Sequence, residues 1–156
     1  MAPLAIRLDP DPVLRVICDA VTEFDAGLAQ FADQMLQTMY DAPGRGLAAP
    51  QVGITKRMFV VDVDWRDADP APTVFVNPVL TGASVEVEEL EEGCLSIPDV
   101  PCLVARPVLI SLQWQGLDGT WQSGAFDGAL ARSIQHENDH LNGVLCTDYT
   151  CPTAPI

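Results

Sequence analysis

Apolar residues recur along this chain with two different periods. Over residues 26–40, Leu28, Phe31, Met35, Leu36 and Met39 fall at i, i+3 and i+4 spacing, which predicts an amphipathic helix with those side chains turned to a core. Runs rich in β-branched and aromatic residues predict strands over 57–63, 73–77, 84–88, 108–114 and 120–126, and Asp118-Gly119 has the chemistry of a hairpin turn between the last two. Asp127 and Gly128 open a second helical pattern in which Leu130, Ile134 and Leu141 recur at core-facing positions, and Asn142-Gly143 closes it. Strands lying between an early helix and a late one, not alternating with helices, predict an α+β fold. The length of 156 residues fits a single domain over 1–156 with room for a real core. No repeat or low-complexity stretch is visible, and 64–72 is the expected mobile loop.

Charge removes several classes of function. With 22 acidic against 8 basic residues the net charge is −14, which argues against direct nucleic-acid binding because that needs a basic footprint. There is no basic amphipathic helix for a membrane surface, no apolar run long enough to span a bilayer, and no signal peptide. The reducing cytoplasm is the simplest compartment, and five cysteines without a CxxC pair fit neither a zinc knuckle nor a closed disulfide framework. Cys18, Cys146 and Cys151 read as ordinary small residues. The acidic run Glu86, Glu88, Glu89, Glu91 and Glu92 reads as a solvated strand edge and loop.

The chemistry-bearing pattern lies in the second helix. The chain has two histidines, His136 and His140, both within Gln135-His136-Glu137-Asn138-Asp139-His140. On a helix this spacing puts both imidazoles on one face, where they can share a metal ion, with Glu137 beside them to handle protons. A catalytic site of this kind usually takes three protein ligands. No histidine follows His140, and residues 141–156 contain no glutamate, so the third ligand is expected upstream. Cys94, in Glu91-Glu92-Gly93-Cys94-Leu95-Ser96-Ile97-Pro98, could complete a Cys-His-His set. That segment reads as neither regular strand nor helix, with Gly93 allowing close backbone approach. No phosphate-binding loop motif occurs.

Three segments in order, Gly44-Arg45-Gly46-Leu47-Ala48-Ala49-Pro50-Gln51, then Glu92-Gly93-Cys94-Leu95-Ser96, then Gln135-His136-Glu137-Asn138-Asp139-His140-Leu141-Asn142-Gly143, resemble the signature motifs of the peptide deformylases. The likeness extends through the strand-like 58–63 and Phe75-Val76-Asn77-Pro78, and so over nearly the whole chain. The resemblance implies antiparallel or mixed β-sheets packed around a central C-terminal helix, together with an N-terminal helix. It implies that Cys94, His136 and His140 bind one divalent metal ion, commonly Fe(II), with Zn(II), Ni(II) or Co(II) able to occupy the site. It further implies that Glu137 is the general acid/base, that the Gln51 side chain and the Leu95 backbone N–H hold the oxyanion, and that Gly46 and Arg45 contact substrate. The implied substrate is an N-formylated peptide, the formyl-methionyl start of a nascent chain. Glu92 is expected to help fix the metal loop.

Some positions depart from the family pattern. Arg45 stands where many deformylases carry Val or Ile beside the methionine pocket, and its guanidinium could close or re-tune an apolar site. Pro101-Cys102 falls where many bacterial members carry an arginine that contacts the peptide backbone. The sequence runs to Ile156 without the long C-terminal helix of many bacterial enzymes, so ribosome docking through one is not expected. The competing readings are a deformylase-fold amidase acting on another formyl or acyl amine, and a non-catalytic metal- or peptide-binding paralogue.

Overall fold

The computed structural model describes residues 3–149. Two α-helices and seven strands run in the order α1 (Ala26–Asp41), β1 (Gly46–Ala48), β2 (Met58–Val61), β3 (Thr73–Ala83), β4 (Val87–Cys94), β5 (Ile97–Pro107), β6 (Leu109–Gln115), β7 (Trp121–Asp127) and α2 (Gly128–Leu141). Five strands form an antiparallel sheet in the order β1-β2-β3-β6-β7, and β4 and β5 pair as a separate antiparallel hairpin. Among the described residues no helix is long and apolar enough to cross a membrane.

The five-stranded sheet is covered on both faces, which is why β2 reads Met-Phe-Val-Val with every side chain buried. Alternation sends Met58 and Val60 toward Ala32, Met35 and Met39 of α1. It sends Phe59 and Val61 toward Ala131, Ile134 and Leu141 of α2. On the α2 side Phe75 stacks at 5.0 Å from both Phe59 and Trp114, and burial of each such ring stabilises the fold by about 1.5–3 kcal/mol. A third apolar cluster, with Leu14, Cys94, Ile97, Cys102, Val104, Leu145 and Cys146, joins the hairpin to the chain following α2. The metal-motif helix therefore lies between the large sheet and the hairpin.

Helix α1 begins where its spacing predicts, with the Asp25 side chain accepting from Leu28 N at 3.0 Å. Asp127 is the N-cap residue of α2 but its side chain makes no capping bond, and Asn142 and Gly143 (φ 72°) end the helix. A Cβ on Gly143 would lie 2.6 Å from the Arg15 carbonyl oxygen, so this turn requires glycine for contact as well as conformation. Gly119 (φ 83°) closes the expected hairpin, with Gln115 opposite Trp121.

The structure corrects the strand expectations around the hairpin and adds contacts to the expected loop. The strand placed at 84–88 is Val87–Cys94, so Glu88, Glu89, Glu91, Glu92 and Cys94 lie on one strand with Glu86 just before it, and the segment 91–98, read as neither strand nor helix, is the end of β4, a two-residue turn and the start of β5. Its partner, β5, is a strand the pattern did not reveal. The segment 64–72 has no regular structure but is anchored: Asp62 accepts from Ala71 N at 3.0 Å and Tyr40 Oη at 2.7 Å, and Trp65 Nε1 donates to the Gly44 carbonyl at 2.9 Å. Cys18 and Cys146 are buried as expected, and Cys151 lies outside the described residues.

Candidate metal centre

Cys94 reaches the site because strand alternation puts it on the same face as Glu92, two residues earlier, while Gly93 points outward. It is the last residue of β4, opposite Ile97, with Leu95 and Ser96 forming the turn into β5. A Cβ on Gly93 would meet nothing within 4 Å, so close backbone approach is not its role. Close approach occurs at Gly46, where a Cβ would lie 2.6 Å from Glu137 Oε2, and at Gly44, where it would lie 2.7 Å from the Leu95 side chain.

The ligand atoms of Cys94, His136 and His140 lie within 4.8 Å of one another, and all three residues are buried. Cys94 Sγ stands 3.5 Å from His140 Nε2, and the two imidazoles meet edge to face at 5.0 Å. A soft sulfur with two imidazole nitrogens suits Fe(II), Zn(II), Co(II) or Ni(II). Burial drives the His140 imidazole well below its ordinary pKa, which favours the neutral form that a ligand needs. Glu137 is buried, and its Oε1 has no hydrogen-bond partner among the described residues. Burial pushes its carboxyl up to about 7, with His136 pulling the other way.

Gln51 sits in a short 3₁₀ turn, Ala49–Val52, directly after β1. Its Oε1 accepts from Ala48 N at 2.9 Å, which fixes the amide so that Nε2 points at Ser96 Oγ (3.1 Å) and Cys94 Sγ (3.7 Å). The three sequence motifs thus meet in space.

Behind the triad lies an ion-pair network that sequence reasoning caught only in part. Glu92 Oε1 meets His136 Nδ1 at 2.9 Å, which leaves the other ring nitrogen for a metal. Arg106 grips Glu92 through two bonds, at 2.6 and 2.9 Å, and reaches Asp139 at 2.9 Å. Arg132 donates to Glu92 Oε2 at 2.6 Å and to the carbonyls of Val104 and Glu88 at 3.0 and 2.6 Å. Burial raises the Glu92 carboxyl, but hydrogen bonds from His136 and Arg106 outweigh it and bring it down to about 2. Glu92 is therefore an ionised hub, unlike the exposed Glu86, Glu88, Glu89 and Glu91 around it. Neither Arg106 nor Arg132 carried a local signal.

A cavity of about 860 Å³ opens beside the triad, lined among others by Gly44, Arg45, Gly46, Gln51, Leu90 and Glu137. Ligand pockets span about 300–1,000 Å³, so a peptide end fits. Arg45 is exposed on the rim, and Pro101 also lines the cavity. Cys102 points away into the third apolar cluster.

The polypeptide deformylase family model matches residues 3–154. The peptide deformylase of Agrobacterium fabrum is 49% identical over 140 residues, covering 90% of this chain and 82% of that one. Among solved structures, the peptide deformylase of Thermotoga maritima superposes with a TM-score of 0.92 at 41% identity, covering 97% of this chain and 100% of its own. The Met-Ala-Ser-bound class I type b peptide deformylase of Acinetobacter baumannii gives 0.89 at 35% identity, covering 96% of this chain and 99% of its own. Family model, sequence relatives and solved structures agree over nearly the full length of the match, and this chain belongs to the polypeptide deformylase family.

Proposed function

We propose that this chain hydrolyses the formamide of N-formyl-methionyl peptides, releasing formate and a peptide with a free amino end. The observation that carries the reading is the convergence of the Cys94, His136 and His140 donors beside a buried carboxylate, Glu137, whose Oε1 has no partner among the described residues. Cys94, His136 and His140 would hold one divalent ion, Fe(II) in the cell, with Zn(II), Ni(II) or Co(II) as substitutes. When bound, such an ion lowers the pKa of water from about 16 toward about 7 and sets positive charge opposite the formyl oxygen.

The residues of the chain do the rest. Glu137 takes a proton from the attacking water and delivers it to the departing amine nitrogen, and a carboxyl held up to about 7 suits both steps at neutral pH. The Gln51 amide, aligned by its bond to Ala48 N, donates to the developing oxyanion together with the Leu95 backbone N–H. Glycine at 44 and 46 leaves room for the peptide end beside Glu137, and Leu90 offers apolar wall to a methionine side chain. The A. baumannii relative with Met-Ala-Ser bound supports a substrate of this class. The acidic surface and the lack of a membrane-spanning helix among the described residues favour a cytoplasmic enzyme acting on peptide and not on nucleic acid.

Anaerobic purification with Fe(II) or Ni(II), followed by a formate-release assay on formyl-Met-Ala-Ser, tests the proposal. Metal-dependent release abolished by Glu137→Ala is the expected result. A fully metallated protein that releases no formate would overturn it. The guanidinium of Arg45 at the cavity rim and that of Arg132 in its wall then favour a different acyl amine, to be sought with an acylated substrate panel.

A further inference from the structure

Cys102 and Cys146 belong to none of the three motifs, yet their sulfurs lie 2.9 Å apart. Cys102 is on β5 and Cys146 on the 3₁₀ turn Cys146–Asp148 that follows α2. They are 44 residues apart in sequence, and their relative exposures are 1% and 2%. Non-bonded heavy atoms ordinarily rest at roughly 3.5 Å or more, and a disulfide needs about 2.0 Å, so the pair sits between contact and bond. The surrounding side chains Leu14, Ile97, Val104 and Leu145 are apolar, Cys94 is the other sulfur of the cluster, and the Val100 carbonyl lies 3.8 Å from Cys102 Sγ.

We propose that Cys102 and Cys146 are a built dithiol site that closes to a disulfide under peroxide, stapling the metal-bearing hairpin to the chain after α2. In the balanced step one thiol attacks a peroxide oxygen, giving a sulfenic acid and one water. The second thiol then attacks the sulfenic sulfur, forming the S–S bond and releasing a second water; two electrons pass from the sulfurs to hydrogen peroxide. Burial, and after it the neighbouring Cys102, raises the Cys146 thiol above its ordinary pKa. The closure is therefore slow compared with that of an exposed thiolate. The pair is placed to matter, because Cys102 stands directly opposite Glu92 in the hairpin register, and Glu92 holds His136. A bond closing a loop of this length restricts the unfolded chain and raises the melting temperature of the oxidised form by about 8–16 °C.

The test uses the full chain loaded with zinc, which does not itself react with peroxide. After hydrogen peroxide treatment the protein is unfolded in iodoacetamide and cut before aspartate. This places Cys102 in fragment 99–117 and Cys146 in fragment 139–147, apart from Cys94 and Cys151. The expected product is these two fragments joined, 2 Da lighter than their sum, separated by dithiothreitol, and absent from both Cys102→Ala and Cys146→Ser. Oxidised wild type should also melt higher than its reduced form, a gain missing from whichever variant folds. Full alkylation of both fragments after peroxide, or cross-links only to Cys94 or Cys151, would overturn the proposal.

Discussion

Glu92 Oε1 lies 2.9 Å from Nδ1 of His136, and through this contact the hairpin orients a metal-motif imidazole on the helix. The same carboxylate neutralises two guanidinium groups, so removing its charge has two separable effects. Glu92→Gln keeps the shape and an acceptor for His136, but leaves Arg132 without its counter-charge and Arg106 with Asp139 alone. Breaking a buried pair costs about 3–5 kcal/mol, and losing the outer partner of a ligating histidine costs about 10–100-fold in metal affinity. Chelator competition and thermal unfolding measure the two. Unchanged metal affinity in a folded variant would remove Glu92 from the metal site.

The same carboxylate carries a pH dependence of definite sign. Its pKa is depressed in the fold from an ordinary 4.5 to about 2. Its contribution to stability is therefore fully present above about 4.5 and is lost as pH falls through 2. In the metal-free protein, the difference in unfolding free energy between wild type and Glu92→Gln should shrink across this window. A difference that stays constant from pH 5 to about 2.5 would contradict the depressed pKa.

Gly46 tests the placing of Glu137. A methyl group there would press on Glu137 Oε2 from 2.6 Å, and the neighbouring Ser133 Oγ, 3.0 Å from the same point, closes the obvious way out. Gly46→Ala is expected to bind metal normally while kcat falls at least about tenfold, because general acid-base catalysis supplies about 10²–10⁴-fold and depends on position. Full activity with full metal content would mean that the carboxylate has freedom the packing does not suggest.

How much of this was legible in the sequence depended on range. The two helices and the Asp118-Gly119 hairpin are written locally, in period and caps, and appear where expected. Strand β5 was hidden because Pro98, Pro101 and Pro107 interrupt its pattern; a two-stranded hairpin tolerates them since each strand has an open edge. Strand β1 was hidden because Gly46-Leu47-Ala48 is short and poor in strand formers. Cys94, His136, His140, Glu137 and Gln51 were found through motifs. Arg106 and Arg132 were not, since they meet Glu92 across 14 and 40 residues of sequence and no local pattern encodes that meeting.

Metal removal should loosen the fold as well as stop turnover. An ion held by Cys94 of β4 and by His136 and His140 of α2 would add to the Glu92 contacts that already join the two elements, and it would stabilise the metal-bound form by mass action. With free metal at about a thousand times its dissociation constant this is about 4 kcal/mol, or a melting shift of about 8–16 °C for a chain of this size. Calorimetry before and after chelation under reducing conditions measures it. An unchanged melting temperature would mean that hairpin and helix hold their positions without the ion.

Arg45 offers a test of how closely substrate choice follows the family. It occupies β1's entrance, exposed at the cavity rim, and its backbone carbonyl accepts from Asp62 N at 2.9 Å, which fixes the main chain without fixing the guanidinium. A charged head near an apolar methionine pocket must keep its hydration, so it either swings outward or takes up space that the substrate needs. If it takes up space, Arg45→Ile should raise kcat/KM on formyl-Met peptides by about 10-fold, chiefly through KM, because the residue would then touch bound substrate and not the reacting atoms. Steady-state kinetics with formyl-Met-Ala-Ser separates the cases. An unchanged kcat/KM would place the guanidinium in solvent throughout turnover and leave the pocket walls, Leu90, Ala129 and Arg132, to set selectivity.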